Sequence, residues 1–271
     1  MPAGDLNDLQ YLALSFVLCL ACSALGFIRA VNFVGAGYAA SIAAEAAASA
    51  ILYAATLSGW PLIQVLLLCA YGIRLGSYLT LRDRNRGYQD HQSPQGARRS
   101  PPGMMAKIAI WIGVSTLYVL MALPAFLTLS AQAHGLPLGS VPAGVVLMAL
   151  GLGLETVADW QKFRFKAGAP TLLCKTGLYR FVRCPNYLGE MLFWSGIWLS
   201  ALSAYQGWLD CSLSTLGLAS ILGIMIGATR RLEGEQVRHY GADPTFAAYR
   251  KSVPILLPFL PLYSLRGAAA R

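Results

Sequence analysis

The sequence predicts an all-α integral membrane protein, a single membrane domain (1–271) built as a seven-transmembrane helix bundle. Three observations support this prediction. Hydrophobic residues make up 56% of the chain and charged residues only 12%, which is about half the charged share of a soluble domain. Apolar stretches recur at lengths near the roughly 20 residues with which a helix crosses a bilayer. Basic residues are concentrated on alternate connections between these stretches.

Seven apolar stretches are long enough to be membrane spans, and glycine, proline and polar residues break the chain between them. Three longer polar stretches, 82–104, 161–185 and 230–254, remain outside the spans. The predicted spans are residues about 11–30, 33–57, 61–81, 105–130, 140–160, 186–205 and 208–229.

Lysine and arginine residues follow the first, third, fifth and seventh predicted spans, whereas the segments on the other side contain none. These segments without basic residues are 1–10, 58–60, 131–139 and 206–207. Because cytoplasmic loops carry an excess of Lys and Arg, the alternation places the N-terminus outside and the C-terminus in the cytoplasm. The first ten residues carry no basic side chain, which favours a retained first helix over a cleaved signal peptide.

The net charge of +9 does not indicate a nucleic-acid partner, because the basic residues lie in loops on one side of the predicted membrane. The histidines His91, His134 and His239 are far apart and have no metal-ligand spacing, so we expect no metal. Cys19 and Cys22 lie inside a predicted span, where we interpret them as small packing residues rather than a redox pair. The expected partners are therefore membrane lipids and apolar molecules from the bilayer.

Two polar features lie inside the N-terminal spans. Glu45 is in the middle of the second span, where a carboxyl group is costly and usually faces the interior of the bundle. Tyr71, Arg74 and Tyr78 are in the third span, at spacings that place them on one helical face. Glu45 is either functional or makes a structural hydrogen bond. The Arg74 face either lines a polar pocket or anchors the helix at the membrane interface.

Acidic and basic side chains at helical spacing form one stripe at the end of the fifth span. A salt-bridged helix end is the structural interpretation of this stripe. That interpretation is weakened because both acids lie in the apolar span. The members of the stripe are Glu155, Asp159, Lys162 and Lys166.

The segment before the sixth span is the densest in candidate residues. Pro185 is well placed to begin a helix, whose N-terminal amides beside Arg183 would favour a phosphate group. Asn186 and Glu190 share one face of this helix and can hydrogen-bond an amide or a ribose, while Gly189 permits a close approach. A positive loop and a capped helix would explain the arginine but not Asn186 and Glu190 inside the span.

After the last span, the segment 230–254 contains Arg230, Arg231 and Glu235 and continues past Tyr249 to a run of prolines. It is either an amphipathic tail at the membrane surface or a segment that folds back to close a cavity. The sequence has no GxGxxG loop followed by a soluble strand–helix unit. A dinucleotide site would therefore have to be built between membrane helices.

From about Leu154 to Pro258 the chain resembles the C-terminal domain of the steroid 5α-reductase family and the related bacterial DUF1295 membrane proteins. The resemblance implies a seven-helix membrane fold with NADPH in a cavity open to the cytosol. It also implies that residues about 1–135 form substrate-side helices and residues about 140–258 the NADPH-binding half. The motifs that carry it are Glu155-x-x-x-Asp159-x-Gln161, Gly177-Leu-Tyr-Arg-x-x-Arg-x-Pro-Asn-Tyr-x-Gly-Glu190, and Glu235 with Tyr249 and the closing prolines.

The resemblance implies roles for individual residues of this chain. Tyr71 matches the catalytic tyrosine, and Glu45 is the candidate for its acidic partner, although Ala44 stands where the family has glutamine. The adenosine end of the cofactor, with its 2′-phosphate, would meet Arg84 or Arg86. The phosphates would meet Arg183 with Arg230 or Arg231. The nicotinamide half and its ribose would meet Asp159, Asn186, Tyr187 and Glu190, and the cofactor-binding set is completed by Arg74, Tyr179, Glu235 and Tyr249.

The implied activity is the NADPH-dependent reduction of a carbon–carbon double bond conjugated to a carbonyl group. The substrate would be an apolar enone from the bilayer, such as a 3-oxo-Δ4 steroid or a related lipid. Hydride would go to the β carbon while Tyr71, braced by Glu45, hydrogen-bonds the carbonyl oxygen. We expect a bacterial inner-membrane protein whose cofactor site faces the cytoplasm.

Two alternatives to the reductase remain open. One is an S-adenosylmethionine-dependent membrane methyltransferase of the isoprenylcysteine or phospholipid type, which is similar at Arg-x-Pro-Asn-Tyr and in the tail. The other is a non-catalytic lipid-binding relative that keeps the fold. The pair Glu155-x-x-x-Asp159 and the number of predicted spans favour the reductase.

Overall fold

The computed structural model describes residues 8–84 and 102–265, and within these ranges the chain is helical and contains no strand. Short 3₁₀ turns occur at Ala24–Phe27, Ala30–Phe33 and Gly177–Arg180. The α-helices of the described residues are α1 (Asp8–Ser23), α2 (Ala36–Leu52), α3 (Gly59–Arg84), α4 (Met104–Ala133), α5 (Val141–Gly168), α6 (Pro185–Ser200), α7 (Trp208–Tyr240) and α8 (Pro244–Ser252).

Six helical segments within the described ranges are long and apolar enough to cross a membrane, as expected of a multi-pass membrane protein. The predicted span 186–205 is not among them. Its helix, α6, has 16 residues and a length of about 24 Å, shorter than the roughly 30 Å hydrocarbon core of a bilayer. The six segments are Leu9–Phe27, Ala30–Leu52, Gly59–Arg82, Met104–Ala133, Val141–Gly168 and Trp208–Tyr240.

The described residues form two compact units. Unit 1 comprises the residues up to Ala149 together with Trp194–Ala219. Unit 2 comprises Leu150–Phe193 together with the residues from Ser220 onwards. The assignment of a substrate-side half and an NADPH-binding half concerns function, and it stays a prediction.

The core of unit 1 is built from aromatic and aliphatic side chains of α1, α3 and α4. Tyr11 stacks on Phe126 with ring centroids 3.6 Å apart, and Tyr53 meets the same ring edge-on. Small residues bring α2 and α3 close together, because a Cβ on Gly72 would lie 2.8 Å from the Ala39 carbonyl oxygen. Unit 1 therefore combines aromatic stacking with direct helix-to-helix backbone contact, as is common in membrane bundles.

Unit 2 is held together by the ends of α5 and α7, the beginning of α6, and α8. Phe246 and Tyr249 of α8 form one apolar cluster with Val253, the residue after the helix, and Val237 packs against it. Asp243 caps α8 by accepting a hydrogen bond of 2.8 Å from the Thr245 amide. The hydrogen bonds from Thr245 hold the pKa of Asp243 below its usual range.

Candidate functional site

The first polar cluster, the tyrosine cluster, lies in unit 1 and is formed by Tyr71, Tyr38 and Trp194. Tyr71 is fully buried on α3, and its hydroxyl oxygen is 2.9 Å from that of Tyr38 on α2. Trp194 donates from Nε1 to the Tyr38 hydroxyl at 2.8 Å. The Trp194 and Tyr71 rings also meet edge-on with centroids 5.6 Å apart. These contacts hold the Tyr71 phenol in one orientation, which a hydrogen-bond donor in a reaction requires.

Sequence reasoning identified Tyr71 but missed Tyr38 and Trp194. The available signal was spacing, because Tyr38 is seven residues before Glu45 and therefore lies on the same face of α2. Tyr38 also contacts Tyr118, whose ring stacks on it at a centroid distance of 5.0 Å. Tyr118 donates its own hydroxyl proton to the Phe33 carbonyl oxygen at 2.8 Å.

Glu45 is buried in unit 1 with 2% of its surface exposed. Its Oε1 accepts a hydrogen bond of 2.9 Å from the Ser15 hydroxyl, and Oε2 has no hydrogen-bond partner among the described residues. Glu45 lines a small cavity together with Tyr11 and Ser49, whose hydroxyl oxygens are 3.2 Å apart. Glu45 and Tyr71 thus have different hydrogen-bond partners in the structure, and their catalytic pairing stays a prediction.

The structure describes only some of the arginines in and after the third span that were predicted to bind the cofactor. Arg74 is half-buried, and its guanidinium lies 5.9 Å from the centre of the Tyr78 ring, one turn further along α3. Arg84 is the last residue of α3. Arg86 lies outside the described residues.

The second polar cluster, the arginine cluster, lies in unit 2 and is formed by Arg183, Glu233 and Arg250. The side chains of Arg183 and Glu233 are both fully buried and form an ion pair with N···O 3.4 Å. Arg250 lies 3.6 Å from the same carboxyl oxygen, so two positive charges share one negative charge. Arg183 also donates from Nη2 to the Tyr263 carbonyl oxygen.

Arg183 keeps unused hydrogen-bonding capacity. Its Nε and Nη1 are buried and have no hydrogen-bond partner among the described residues. The helix α6 begins two residues later, at Pro185, as predicted. Buried N–H groups of a guanidinium beside a helix N-terminus are suited to binding an anion.

The buried acids of the predicted site lie on α5 and α6 within unit 2. Glu155, Asp159 and Glu190 are each at most 9% exposed. A Cβ on Gly189 would lie 2.6 Å from the Glu155 backbone nitrogen, so Gly189 brings two helix backbones into contact. The close approach predicted at Gly189 is therefore present, and it is an approach between two helices. Asn186, in the first turn of α6, is half-buried, as is the neighbouring Tyr187.

Tyr179 and Tyr249 are brought together in unit 2, and both bind backbone. Tyr249 donates its hydroxyl proton to the Tyr179 carbonyl oxygen, and Tyr179 donates to the Ala158 carbonyl oxygen at 3.3 Å. Burial raises the pKa of Tyr249, so its phenol stays protonated as a donor. Gly177 starts this segment with φ 61°, and the carboxamide of Gln161 fills the space that a side chain at Gly177 would need.

On α7 the structure buries a different acid from the one that sequence reasoning selected. Arg230, Arg231 and Glu235 are exposed, whereas Glu233 is 1% exposed and pairs with Arg183. The signal was again helical phase, because Glu233 is four residues after the buried Thr229. None of the contacts described above tests the predicted cofactor roles of these residues.

Comparison with known proteins gives one result. The family model described as "Protein of unknown function (DUF1295)" matches residues 22–253, a range that includes all residues of the tyrosine cluster and of the arginine cluster. No curated protein and no solved structure matches the chain.

Proposed function

The chain belongs to the DUF1295 family, which is related to the steroid 5α-reductase-like membrane proteins, and we propose that it is an NADPH-dependent membrane reductase. The observation that carries the proposal is the buried Arg183 guanidinium, whose Nε and Nη1 have no acceptor among the described residues. A phosphate group offers several acceptor oxygens and a negative charge to such donors. The excess positive charge of the arginine cluster supports the same class of ligand.

NADPH fits the side chains of unit 2 in charge and hydrogen-bonding type. In the proposal, Arg183 holds phosphate oxygens, and Asp159, Asn186 and Glu190 hydrogen-bond the ribose and the carboxamide of the nicotinamide. Tyr187 lies beside Asn186 in the first turn of α6 and contributes an aromatic contact. When bound, NADPH supplies the hydride for the reaction.

Tyr71 is the proposed hydrogen-bond donor to the substrate. The substrate is an enone, and negative charge develops on its carbonyl oxygen as the double bond is reduced. A neutral phenol held by Tyr38 and Trp194 is oriented before the reaction, so no reorganisation is needed when the charge develops. The apolar surroundings of a membrane bundle favour an apolar substrate, such as a 3-oxo-Δ4 steroid or a related lipid.

The binding of NADPH is tested first, with purified protein in detergent. Asn186→Ala and Glu190→Ala should each weaken NADPH binding by about 1–3 kcal/mol, the cost of leaving a buried polar group unpaired. Thr156→Ala, on the exposed face of α5, is the matched control and should bind NADPH normally. Unchanged affinity in both folded variants would refute the assignment, and competition by S-adenosylmethionine would favour the methyltransferase.

We also propose that residues 186–205, which comprise α6 from its second residue and the turns that follow it, form the sixth of seven spans, with the N-terminus outside and the C-terminus in the cytoplasm of a bacterial cell. The one-sided distribution of Lys and Arg supports this topology. Reporter fusions after Arg99, Lys175 and Arg271 should report cytoplasm, and a fusion after Gly135 the opposite side. If Gly135 and Lys175 report the same side, the seven-span topology is wrong.

A further inference from the structure

The segment Pro254–Leu265, here called the C-terminal loop, is non-helical and follows α8 directly. Its two ends are joined by a hydrogen bond from the Ile255 amide to the Leu262 carbonyl oxygen at 2.8 Å. The amides of Arg183 and Cys184 donate to the carbonyl oxygens of Pro254 and Ile255, which ties the loop to the start of α6. The base of the loop is therefore fixed within unit 2.

Residues of the arginine cluster bind the C-terminal part of the loop. Arg183 donates from Nη2 to the Tyr263 carbonyl oxygen, and Glu233 accepts a hydrogen bond of 3.0 Å from the Leu265 amide. Ile255 is 1% exposed and packs with Cys184. Burial raises the pKa of the Cys184 thiol to about 11, in agreement with its closed surroundings.

The tip of the loop is apolar and exposed. Phe259 is 96% exposed and Leu260 is 52% exposed, whereas the base residues Ile255 and Leu256 are almost fully buried. Proline residues restrict the backbone on both sides of the tip, so that it is presented with little loss of conformational freedom on binding. These prolines are Pro254, Pro258 and Pro261.

The contact with Glu233 gives the position of the loop along the axis of α7. The apolar part of α7 ends at Thr229, and Arg230 and Arg231 follow. Glu233 is four residues beyond Thr229, about 6 Å along the helix axis. The headgroup layer on each side of the roughly 30 Å core is about 5–7 Å thick, so the base of the loop lies at this layer.

We propose that the C-terminal loop is a membrane-interface anchor, which inserts Phe259 and Leu260 into the lipid at the boundary between headgroups and acyl chains. Irregular backbone is not found exposed to lipid in the hydrocarbon core, but an apolar and aromatic tip is suited to the interface. The bilayer is the occupant because Glu233, which accepts the hydrogen bond from the loop, lies in the segment Trp208–Tyr240, which is long and apolar enough to cross a membrane. The proposal goes beyond the reductase function and does not depend on it.

The experiment measures the environment of position 259 in the full-length protein. A fluorophore is attached to Phe259→Cys in phosphatidylcholine nanodiscs, with iodide as the aqueous quencher and nitroxide-labelled lipids as the membrane quenchers. Lys251→Cys, on the exposed side of α8, is the matched control, and the unsubstituted protein reports labelling of the native cysteines. Because Phe259 is almost fully exposed, its replacement should leave the fold intact.

Anchoring predicts several-fold stronger quenching of the label at 259 by a nitroxide near the headgroup end of the lipid than by iodide. The label at 251 should show the reverse order. The proposal is overturned if the label at 259 is quenched mainly by iodide. It is also overturned if neither quencher reaches the label, since the tip would then be covered by protein.

Discussion

The two polar clusters of this protein differ in charge. The tyrosine cluster of unit 1 consists of neutral groups, in which Tyr71, Tyr38 and Trp194 satisfy one another by hydrogen bonds. The arginine cluster of unit 2 buries an ion pair between Arg183 and Glu233. Neutral donors and acceptors are inexpensive to bury once they are hydrogen-bonded, whereas buried ions need both a counter-charge and further hydrogen bonds.

The difference in charge indicates which interactions stabilise each cluster. The tyrosine cluster is packed through its aromatic rings, so we expect the rings to stay in place when one hydroxyl is removed. The arginine cluster depends on charge balance between Glu233 and two arginines, of which Arg183 is 50 positions away in the chain. We therefore expect single substitutions to affect folding most strongly in the arginine cluster and turnover most strongly in the tyrosine cluster.

The largest expected effect on stability is that of Glu233→Ala. The substitution leaves the buried Arg183 guanidinium without its counter-charge, and the loss of one partner of a buried pair costs about 3–5 kcal/mol. Equilibrium unfolding in mixed micelles measures this change. Glu235→Ala, two residues away on the exposed face, is the control and should stay within about 0.5 kcal/mol of the parent protein. Equal effects of the two substitutions would mean that the pair is not structurally important.

Tyr71→Phe should have the largest effect on turnover with a modest effect on stability. It keeps the ring that packs on Trp194 and removes the proposed donor, and the loss of one such donor costs about 10²–10³ in turnover. NADPH oxidation with a 3-oxo-Δ4 steroid is the assay. NADPH affinity should change little, because the phenol is assigned to the substrate. Full activity in Tyr71→Phe would exclude Tyr71 as the donor and leave Tyr78 as the next candidate.

Gly189→Ala should destabilise unit 2 by about 1–3 kcal/mol, the usual cost of overpacking. The added Cβ would meet the backbone of α5 at Glu155 and Gly151, which cannot move aside as a side chain can. Gly153→Ala is the matched control on α5, since a Cβ there meets no atom within 4 Å. The control should be neutral or slightly stabilising, because alanine favours a helix over glycine by about 1 kcal/mol. A neutral Gly189→Ala would contradict the close contact between the helices.

The smallest expected effect is a pH dependence at the start of α8. The pKa of Asp243 is lowered in the folded protein, so this carboxylate stabilises the fold above its unfolded pKa of about 3.9. The contribution is lost as the pH falls through the lower folded pKa. The melting temperature should therefore decrease slightly at acid pH, and this decrease should be absent in Asp243→Asn. Since Asp243 is exposed, high salt should reduce the decrease; an unaltered acid-side decrease in Asp243→Asn would assign it to other groups.

Local sequence features predicted much of the framework. The recurrence of apolar stretches predicted the long helices, because burying backbone polar groups in lipid requires helical hydrogen bonding. Pro185 correctly marked the first residue of α6, since its fixed φ suits a helix N-terminus. The cost of a carboxyl group at membrane depth predicted that Glu45 faces the interior, and it is buried.

The sequence did not predict the length of α6 or the partners of the buried polar groups. The predicted span 186–205 assumed that the apolar run continues as helix, but α6 ends at Ser200. Glu235 was chosen on α7 by its motif, whereas Glu233 is the buried acid. Which face of a helix is buried depends on the segments that pack against it, and for Glu233 this partner is Arg183, from another part of the chain. Tyr38 was missed for the same reason, since its partners come from α3 and α6.

Composition and charge distribution by themselves determined that this chain is a helical membrane protein and which of its residues are chemically unusual for one. These properties depend on transfer of each residue between water and lipid, which is local in sequence. The folded chain was needed to show that Arg183 is paired with Glu233, that Tyr71 is held by Tyr38, and that the C-terminal loop is fixed to the start of α6 and to α7. Such pairings depend on which distant segments pack together, and no spacing along the chain encodes them.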